Sequence, residues 1–193
     1  MKQKMQTIGG ELKSHVKILA IAVAIFWIVF IVNESVFNGR LNSFGILPRS
    51  PIGLRGILFA PFLHGSFFHI VSNTAPFVVL GWLVMLRGIS DFYAVSIISA
   101  VVGGLGTWLI GRPHSVHIGA SGVIFGYFGY LLFRGYFEKS FIAIAISVAI
   151  AMTYGGLIWG VLPTQSYISW EGHLFGFIGG IIAAKLLSPA KST

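Results

Sequence analysis

Residues 170–187 read WEGHLFGFIGGIIAAKLL, an apolar segment that carries a histidine, His173, among small side chains. The chain has 193 residues, of which 55% are hydrophobic and 9% charged. This composition is too apolar for the surface of a soluble domain. Lipid is then the expected solvent, and a segment of about 20 mostly apolar residues is expected to form a membrane-spanning helix.

Six such segments can be read along the chain, and they predict an all-α integral membrane bundle of six transmembrane helices. They cover residues 16–32, 67–86, 92–110, 118–133, 141–162 and 170–187. No repeat or change of composition divides the chain. Residues 1–193 are therefore predicted to form a single minimal domain with short terminal tails.

The basic residues predict the orientation of the bundle. They are scattered between the apolar segments instead of being gathered on one polar face, so nucleic acid is not an expected partner despite the net charge of +8. If the N-terminus is cytoplasmic, nine of the thirteen fall on that side: Lys2, Lys4, Lys13, Lys17, Arg87, Arg134, Lys139, Lys185 and Lys191. The positive-inside rule favours both termini in the cytoplasm. A bacterial inner membrane is the expected location, since the chain is minimal and shows no transit sequence, and an organelle membrane stays open as the alternative.

The second predicted segment carries two polar side chains, His69 and Asn73, at spacing i, i+4. That spacing puts both on one face of a helix, one turn apart. Polar side chains are costly in lipid and therefore mark candidate functional sites. They either hydrogen-bond neighbouring helices as packing contacts or supply N–H groups to a developing oxyanion.

The fourth and sixth segments each combine one reactive side chain with a face of small residues. Ser121 lies in the run Gly119-Ala120-Ser121-Gly122, which alone is a weak signal because small residues are common where membrane helices pack. The residues that share a small face are Gly122, Gly126 and Gly129 in the fourth segment, and His173, Gly176 and Gly180 in the sixth. If these faces pack together, Ser121 and His173 meet.

A serine and a histidine that meet in this way are a candidate nucleophile and base, because the histidine pKa suits proton transfer near neutral pH. A carboxylate usually orients such a base. Glu171, two residues before His173, does not face it on a helix, and the other four acids lie in the tail or in loops. We therefore predict a dyad. Phe125, one turn beyond Ser121, is placed to stack on His173 or, alternatively, to face the core or lipid.

The remaining motifs favour structural roles. His64 precedes the second segment, where a cap or loop hydrogen bond is the simpler interpretation. His114 and His117 form a His-x-x-His pair before the fourth segment. The chain has no cysteine and no nearby acid to complete a ligand set, so no metal site is predicted and the pair is interpreted as loop residues.

In combination, these motifs resemble those of the rhomboid family of intramembrane serine proteases, and the resemblance covers nearly the whole chain. The His-x-x-x-Asn pattern of the family corresponds to His69 and Asn73, and its Gly-x-Ser-Gly to residues 119–122. Its last-helix histidine with spaced glycines corresponds to His173. Two features differ: Phe125 stands where many bacterial relatives have tyrosine, and the Trp-Arg pair of their first external loop is missing.

The resemblance implies a six-helix bundle in which Ser121 attacks a peptide bond and His173 acts first as base and then as acid. His69, Asn73 and the Ser121 backbone N–H would stabilise the oxyanion, with no cofactor. The residues expected to support packing around the site are Gly119, Gly122, Phe125, Gly176 and Gly180. Expected partners are membrane lipids and single-pass membrane proteins, which the family cuts near the outer membrane surface.

Two other classes of function stay open on the sequence alone. One is a rhomboid-like protein without catalysis that binds transmembrane clients; inactive relatives usually lack the serine or the histidine, and both are present here. The other is a small transporter with a histidine proton path, but the chain lacks the intramembrane acids that such relays use. For the protease, the loop around Thr164 to Ser169 is predicted to cover an outward-facing cavity.

Overall fold

The computed structural model describes residues 2–163 and 168–188, and this part of the chain is an all-helical bundle. Its α-helices are α1 (Lys2–Ser35), α2 (Gly56–Phe59), α3 (Phe67–Met85), α4 (Ile89–Ile110), α5 (Ser121–Glu138), α6 (Phe141–Tyr154) and α7 (Trp170–Leu186). Residues 33–66 lie between α1 and α3 and contain α2 and three short 3-10 turns.

Within the described residues, four helical stretches are long and apolar enough to cross a membrane: Gly9–Ser35, Phe67–Met85, Ile89–Ile110 and Phe141–Val161. The other two long helices, α5 and α7, do not reach this standard. Helix α5 carries Arg134 and Glu138 in its last turns, and α7 has 17 residues. Most side chains of α5 are buried inside the bundle. The composition of this helix therefore does not decide whether it spans the membrane.

The predicted segments differ from the helices mainly at their ends. The fourth was predicted to begin at Ile118, but α5 begins at Ser121 because Gly119 has φ +117°, outside the helical region, and His117 pairs with Ile46 in an antiparallel bridge. At the other end α5 continues to Glu138, whose carboxylate accepts from Arg134 Nε at 2.9 Å one turn away. The segment over residues 141–162 is α-helical only to Tyr154 and continues as a 3-10 helix, Gly155–Val161.

Two serine caps set the start of helices that the sequence predicted well. Ser66 Oγ accepts from the backbone N–H of His69 at 3.1 Å at the start of α3, and Ser140 Oγ accepts from Ala143 at 3.2 Å at the start of α6. Such caps satisfy N–H groups that the first helical turn leaves unpaired. Both helix starts therefore coincide closely with the predicted ones.

Helices α5 and α7 form the centre of the bundle, and glycine sets their separation. A Cβ atom on Gly176 would collide with the carbonyl oxygen of Gly122, and one on Gly180 would collide with that of Gly126. Glycine faces allow helix backbones to approach closely, and this is a common way for membrane helices to associate. The contact predicted between the two small-residue faces is thus present.

A network of charged side chains lies at the end of the bundle where α3, α5 and α7 finish. Arg87 Nε contacts Asp91 at 2.9 Å, and the same guanidinium pairs with Glu138 and with the carbonyl oxygen of Leu187. Tyr130 donates to Asp91 at 3.1 Å. Because these helices run parallel, their starting turns lie together at the opposite end, away from this network.

Candidate functional site

The starting turns of α3, α5 and α7 surround a cavity of about 630 Å³. Its lining includes Ser121 and His173, together with His69 and Asn73 from α3. Four side chains from three separate regions of the sequence are thereby brought to one depth of the bundle. They lie at a common depth because the three helices run parallel and each of these residues falls within the first two turns of its helix.

The orientation of the His173 ring follows from two contacts. Its Nδ1 lies 2.9 Å from the carbonyl oxygen of Gly160, and since a carbonyl can only accept, Nδ1 carries the hydrogen. In the neutral ring, Nε2 then holds the lone pair that a base needs. Phe125 stacks on the ring with centroids 4.0 Å apart and planes 7° apart. Within the described residues, no carboxylate hydrogen-bonds His173, and a backbone carbonyl orients it instead.

Gly160 is a site residue that the sequence reasoning missed. Any residue offers a carbonyl oxygen, so no side-chain motif could reveal it. The requirement for glycine has a physical reason that only the structure provides: a Cβ at this position would lie 2.7 Å from Phe125 Cζ and 3.3 Å from His173 Nδ1.

Ser121 and His173 both line the cavity, but among the described residues no hydrogen bond joins their side chains. In enzymes without bound substrate, catalytic hydrogen bonds are often long and shorten only when substrate binds. The backbone near Ser121 is in close contact with α7, since a Cβ on its neighbour Gly122 would lie 3.3 Å from the carbonyl oxygen of Gly172.

His69 and Asn73 present hydrogen-bond donors beside the start of α5. The backbone N–H of Gly65 donates to His69 Nδ1 at 3.5 Å, which leaves Nε2 to carry the hydrogen of the neutral ring. That Nε2 lies close to Gly119, where a Cβ would be only 2.6 Å away. Asn73 Nδ2 is buried and has no hydrogen-bond partner among the described residues. Both groups are therefore free to donate to an oxygen next to Ser121.

His64 is buried against this pair, with 1% of its surface exposed. Its ring lies 5.1 Å from His69 and 5.7 Å from Phe26, centroid to centroid. The loop contact expected for it is a weak one: the ring interacts with the backbone of Phe62, but neither ring nitrogen forms a well-aligned hydrogen bond in the described part of the chain. Burial and, to a smaller extent, the neighbouring His69 together lower the pKa of His64 to about 4, against the opposing effect of the Phe62 backbone. The ring is therefore neutral near pH 7 and packs as an uncharged side chain.

The His-x-x-His pair is divided by the structure. His114 is an exposed loop residue with φ +61°, whereas His117 is buried, and its two ring nitrogens face the hydroxyls of Ser115 and Ser169. The interpretation of His117 as an ordinary loop residue was therefore incomplete. The loop predicted to cover the cavity, around Thr164 to Ser169, lies largely outside the described residues.

Comparison with known proteins places the chain in a family. Residues 53–190 match the protein-family model of the Rhomboid domain, so more than half of the chain is covered. The chain belongs to the rhomboid family. With this domain and its four apolar helices, it is an integral membrane protein.

Relatives occur in two groups of bacteria. An uncharacterized protein of Mycobacterium tuberculosis is 41% identical over 174 residues, which are 86% of this chain and 72% of the relative. An uncharacterized protein of Mycobacterium leprae is 39% identical over 180 residues, 89% of this chain and 71% of the relative. YdcA of Bacillus subtilis, named as a candidate rhomboid protease, is 34% identical over 132 residues, 67% of this chain and 65% of the relative. Family and relative together support a protease, that is, a hydrolase.

Proposed function

We propose that this protein is an intramembrane serine endopeptidase that hydrolyses a peptide bond in or near the transmembrane segment of single-pass membrane proteins. The observation that carries the proposal is the single cavity lined by Ser121, His173, His69 and Asn73. A nucleophile, a base with a defined tautomer and two free donors are the groups that acyl transfer requires.

The proposed reaction has two steps. Ser121 Oγ attacks the scissile carbonyl carbon while His173 Nε2 takes the hydroxyl proton, and this proton then passes to the leaving amine as the C–N bond breaks. In the second step, water attacks the acyl-enzyme, His173 takes its proton, and the ester bond to Ser121 breaks as the proton returns to Oγ. The carbonyl of Gly160 holds the imidazole and accepts a stronger hydrogen bond when the ring is charged. The dyad needs no cofactor.

The oxyanion of the tetrahedral intermediate is assigned to the donors of α3 and to the backbone N–H of Ser121. Asn73 Nδ2 is well suited to this role, because a buried donor without a partner gains a hydrogen bond only when the oxyanion forms. Such a contact acts on the transition state more than on bound substrate.

Replacing Asn73 by leucine, which has a similar volume and no donor, is expected to lower kcat by about a hundredfold with little change in KM. The measurement is the steady-state cleavage of a transmembrane substrate in detergent. Thr74→Val is the matched control, since the Thr74 hydroxyl accepts from Trp27 at 3.3 Å and donates to its own helix, away from the cavity. An unchanged kcat in Asn73→Leu would show that Asn73 does not stabilise the oxyanion.

We further infer that six helices, α1 and α3–α7, span a bacterial inner membrane with both termini in the cytoplasm. The network around Arg87 and Arg134 then lies on the cytoplasmic side and the cavity opens outward, in agreement with the positive-inside rule. An outward opening gives the acyl-enzyme access to water, which hydrolysis consumes.

The proposed activity is tested by incubating the purified protein with a generic single-pass substrate in detergent and in liposomes. Two product bands are expected, with the cut in or near the transmembrane segment. A wild-type protein that retains such substrates without cutting them would instead be a client-binding protein. Substrate-linked proton flux in liposomes that Ser121→Ala leaves unchanged would indicate a transporter.

A further inference from the structure

The imidazole of His117 joins two chain segments that carry the proposed dyad. His117 lies in the loop between α4 and α5, and Ser169 is the residue before the first turn of α7. His117 Nδ1 is 2.6 Å from Ser169 Oγ, and its Nε2 is 2.8 Å from Ser115 Oγ. The residue as a whole is 8% exposed. A buried polar side chain thus has both nitrogens occupied, one of them across 52 residues of sequence.

The direction of each hydrogen bond can be worked out. The Ser115 hydroxyl donates to the carbonyl oxygen of Arg112 at 2.7 Å, and a hydroxyl has only one hydrogen. Ser115 Oγ must therefore accept from His117 Nε2–H. In the neutral ring Nδ1 is then an acceptor, so the Ser169 hydroxyl donates to it.

The charge state of the ring agrees with this direction. Burial lowers the pKa of His117, Arg112 lowers it further, and Glu171 at the start of α7 opposes both effects. The imidazole is therefore neutral near pH 7. Ser169 occupies the N-cap position of α7 without capping it, so its hydroxyl is committed to His117 instead of to the helix.

The two residues joined by this hydrogen bond lie at the same spacing in the sequence from the two members of the dyad. His117 is four residues before Ser121, and Ser169 is four residues before His173, whose backbone N–H donates to the Ser169 carbonyl oxygen at 3.1 Å. The backbone of His117 is itself fixed by two hydrogen bonds of 2.9 Å with Ile46. A shift of the start of α7 relative to this loop would therefore change the distance between nucleophile and base.

We propose that His117 and Ser169 are positioning residues, and that their hydrogen bond holds the first turn of α7 at the distance from the α5 entry loop that catalysis requires. The inference rests on the proposed protease function. Neither side chain needs to touch the reacting atoms, and their effect is exerted through Ser121 and His173.

The test is a double-mutant cycle on substrate cleavage. His117→Phe keeps a ring without a hydrogen-bonding atom, and Ser169→Ala removes only the hydroxyl. Each is expected to lower kcat by about tenfold or more, with KM within about twofold of the wild-type value. The double variant should lose no more than the stronger single variant, because both changes remove the same bond. His117→Asn, which retains an acceptor close to the position of Nδ1, should recover part of the loss.

Ser140→Ala is the matched control, because Ser140 caps α6 far from the cavity and its loss tests the effect of a missing helix cap. It is expected to leave kcat unchanged. Nitrogen NMR of the protein labelled in histidine supplies a readout independent of cleavage: His117 Nδ1 should resonate as a hydrogen-bonded, unprotonated nitrogen, and Ser169→Ala should shift it.

The outcomes separate the two proposals. Wild-type kcat in the variants, multiplying effects in the double variant, or a protonated Nδ1 would overturn the positioning role while leaving a Ser121-dependent protease intact. A wild-type protein with no Ser121-dependent cleavage would refute the protease function and the positioning role with it.

Discussion

Replacing Ser121 by alanine is expected to lower the rate of substrate cleavage by at least about a thousandfold, because the variant lacks the hydroxyl that is proposed to form the acyl-enzyme. His173→Ala should have an effect of the same order, since the hydroxyl of Ser121 is a poor nucleophile until a base takes its proton. Residues of one catalytic unit are not additive, so the double variant should be no slower than the slower single variant. The measurement is single-turnover cleavage of a fluorescent transmembrane substrate.

Ser72→Ala is the control for this experiment. Ser72 also lines the cavity, but its hydroxyl donates to the carbonyl oxygen of His69 at 2.9 Å and is not offered to the dyad. Its removal should leave the rate near that of the wild type. Cleavage that persists at the wild-type rate in Ser121→Ala would mean that another nucleophile, or a contaminating protease, cuts the substrate.

Gly180→Ala is expected to produce the second large effect, a loss of stability. A Cβ on Gly180 would overlap the carbonyl oxygen of Gly126 and lie 2.8 Å from the backbone nitrogen of Tyr130. Backbone atoms cannot move aside as a side chain can, so α5 and α7 must separate. Overpacking typically costs about 1–3 kcal/mol, which outweighs the gain of at most about 1 kcal/mol from alanine's better helix propensity. With a net loss of about 2 kcal/mol, at the upper end of this range because the contacts are with backbone atoms, the midpoint of thermal unfolding in detergent should fall by about 4–8 °C.

Gly10→Ala separates packing from propensity. Gly10 lies in α1, and a Cβ there would meet no atom within 4 Å. This variant should be as stable as the wild type or slightly more stable. A Gly180→Ala protein that unfolds at the wild-type temperature would show that α5 and α7 are not as close as the structure has them.

The course of the chain could be predicted wherever apolar length and local chemistry determine it. Residues 67–86 and 170–187 were predicted almost to the residue because a serine cap starts the first helix and both segments are mostly apolar. The predicted helix boundaries were wrong where tertiary contacts determine the end of a helix. Gly119 takes its positive φ in a loop that is tied to Ile46, more than seventy residues away. No local pattern in the sequence carries that information.

In the candidate site, too, some residues could be predicted from the sequence and others could not. Polar side chains that are costly in lipid could be identified from their position in apolar segments. These are His69, Asn73 and His173, and all three line the same cavity in the structure. The roles of the Gly160 carbonyl and of the hydrogen bond between His117 and Ser169 could not be predicted from the sequence, because both depend on segments that meet only after the helices pack.

If Ser121 is a nucleophile activated by His173, it should react with a fluorophosphonate probe, and mass spectrometry of the labelled protein identifies the residue that carries the adduct. A covalent adduct is expected on the peptide that contains Ser121 in the folded wild-type protein, with little or no adduct in His173→Ala or after thermal denaturation. An adduct on a different serine, an unlabelled wild-type protein, or equal labelling of Ser121 in His173→Ala would contradict the activation of Ser121 by His173.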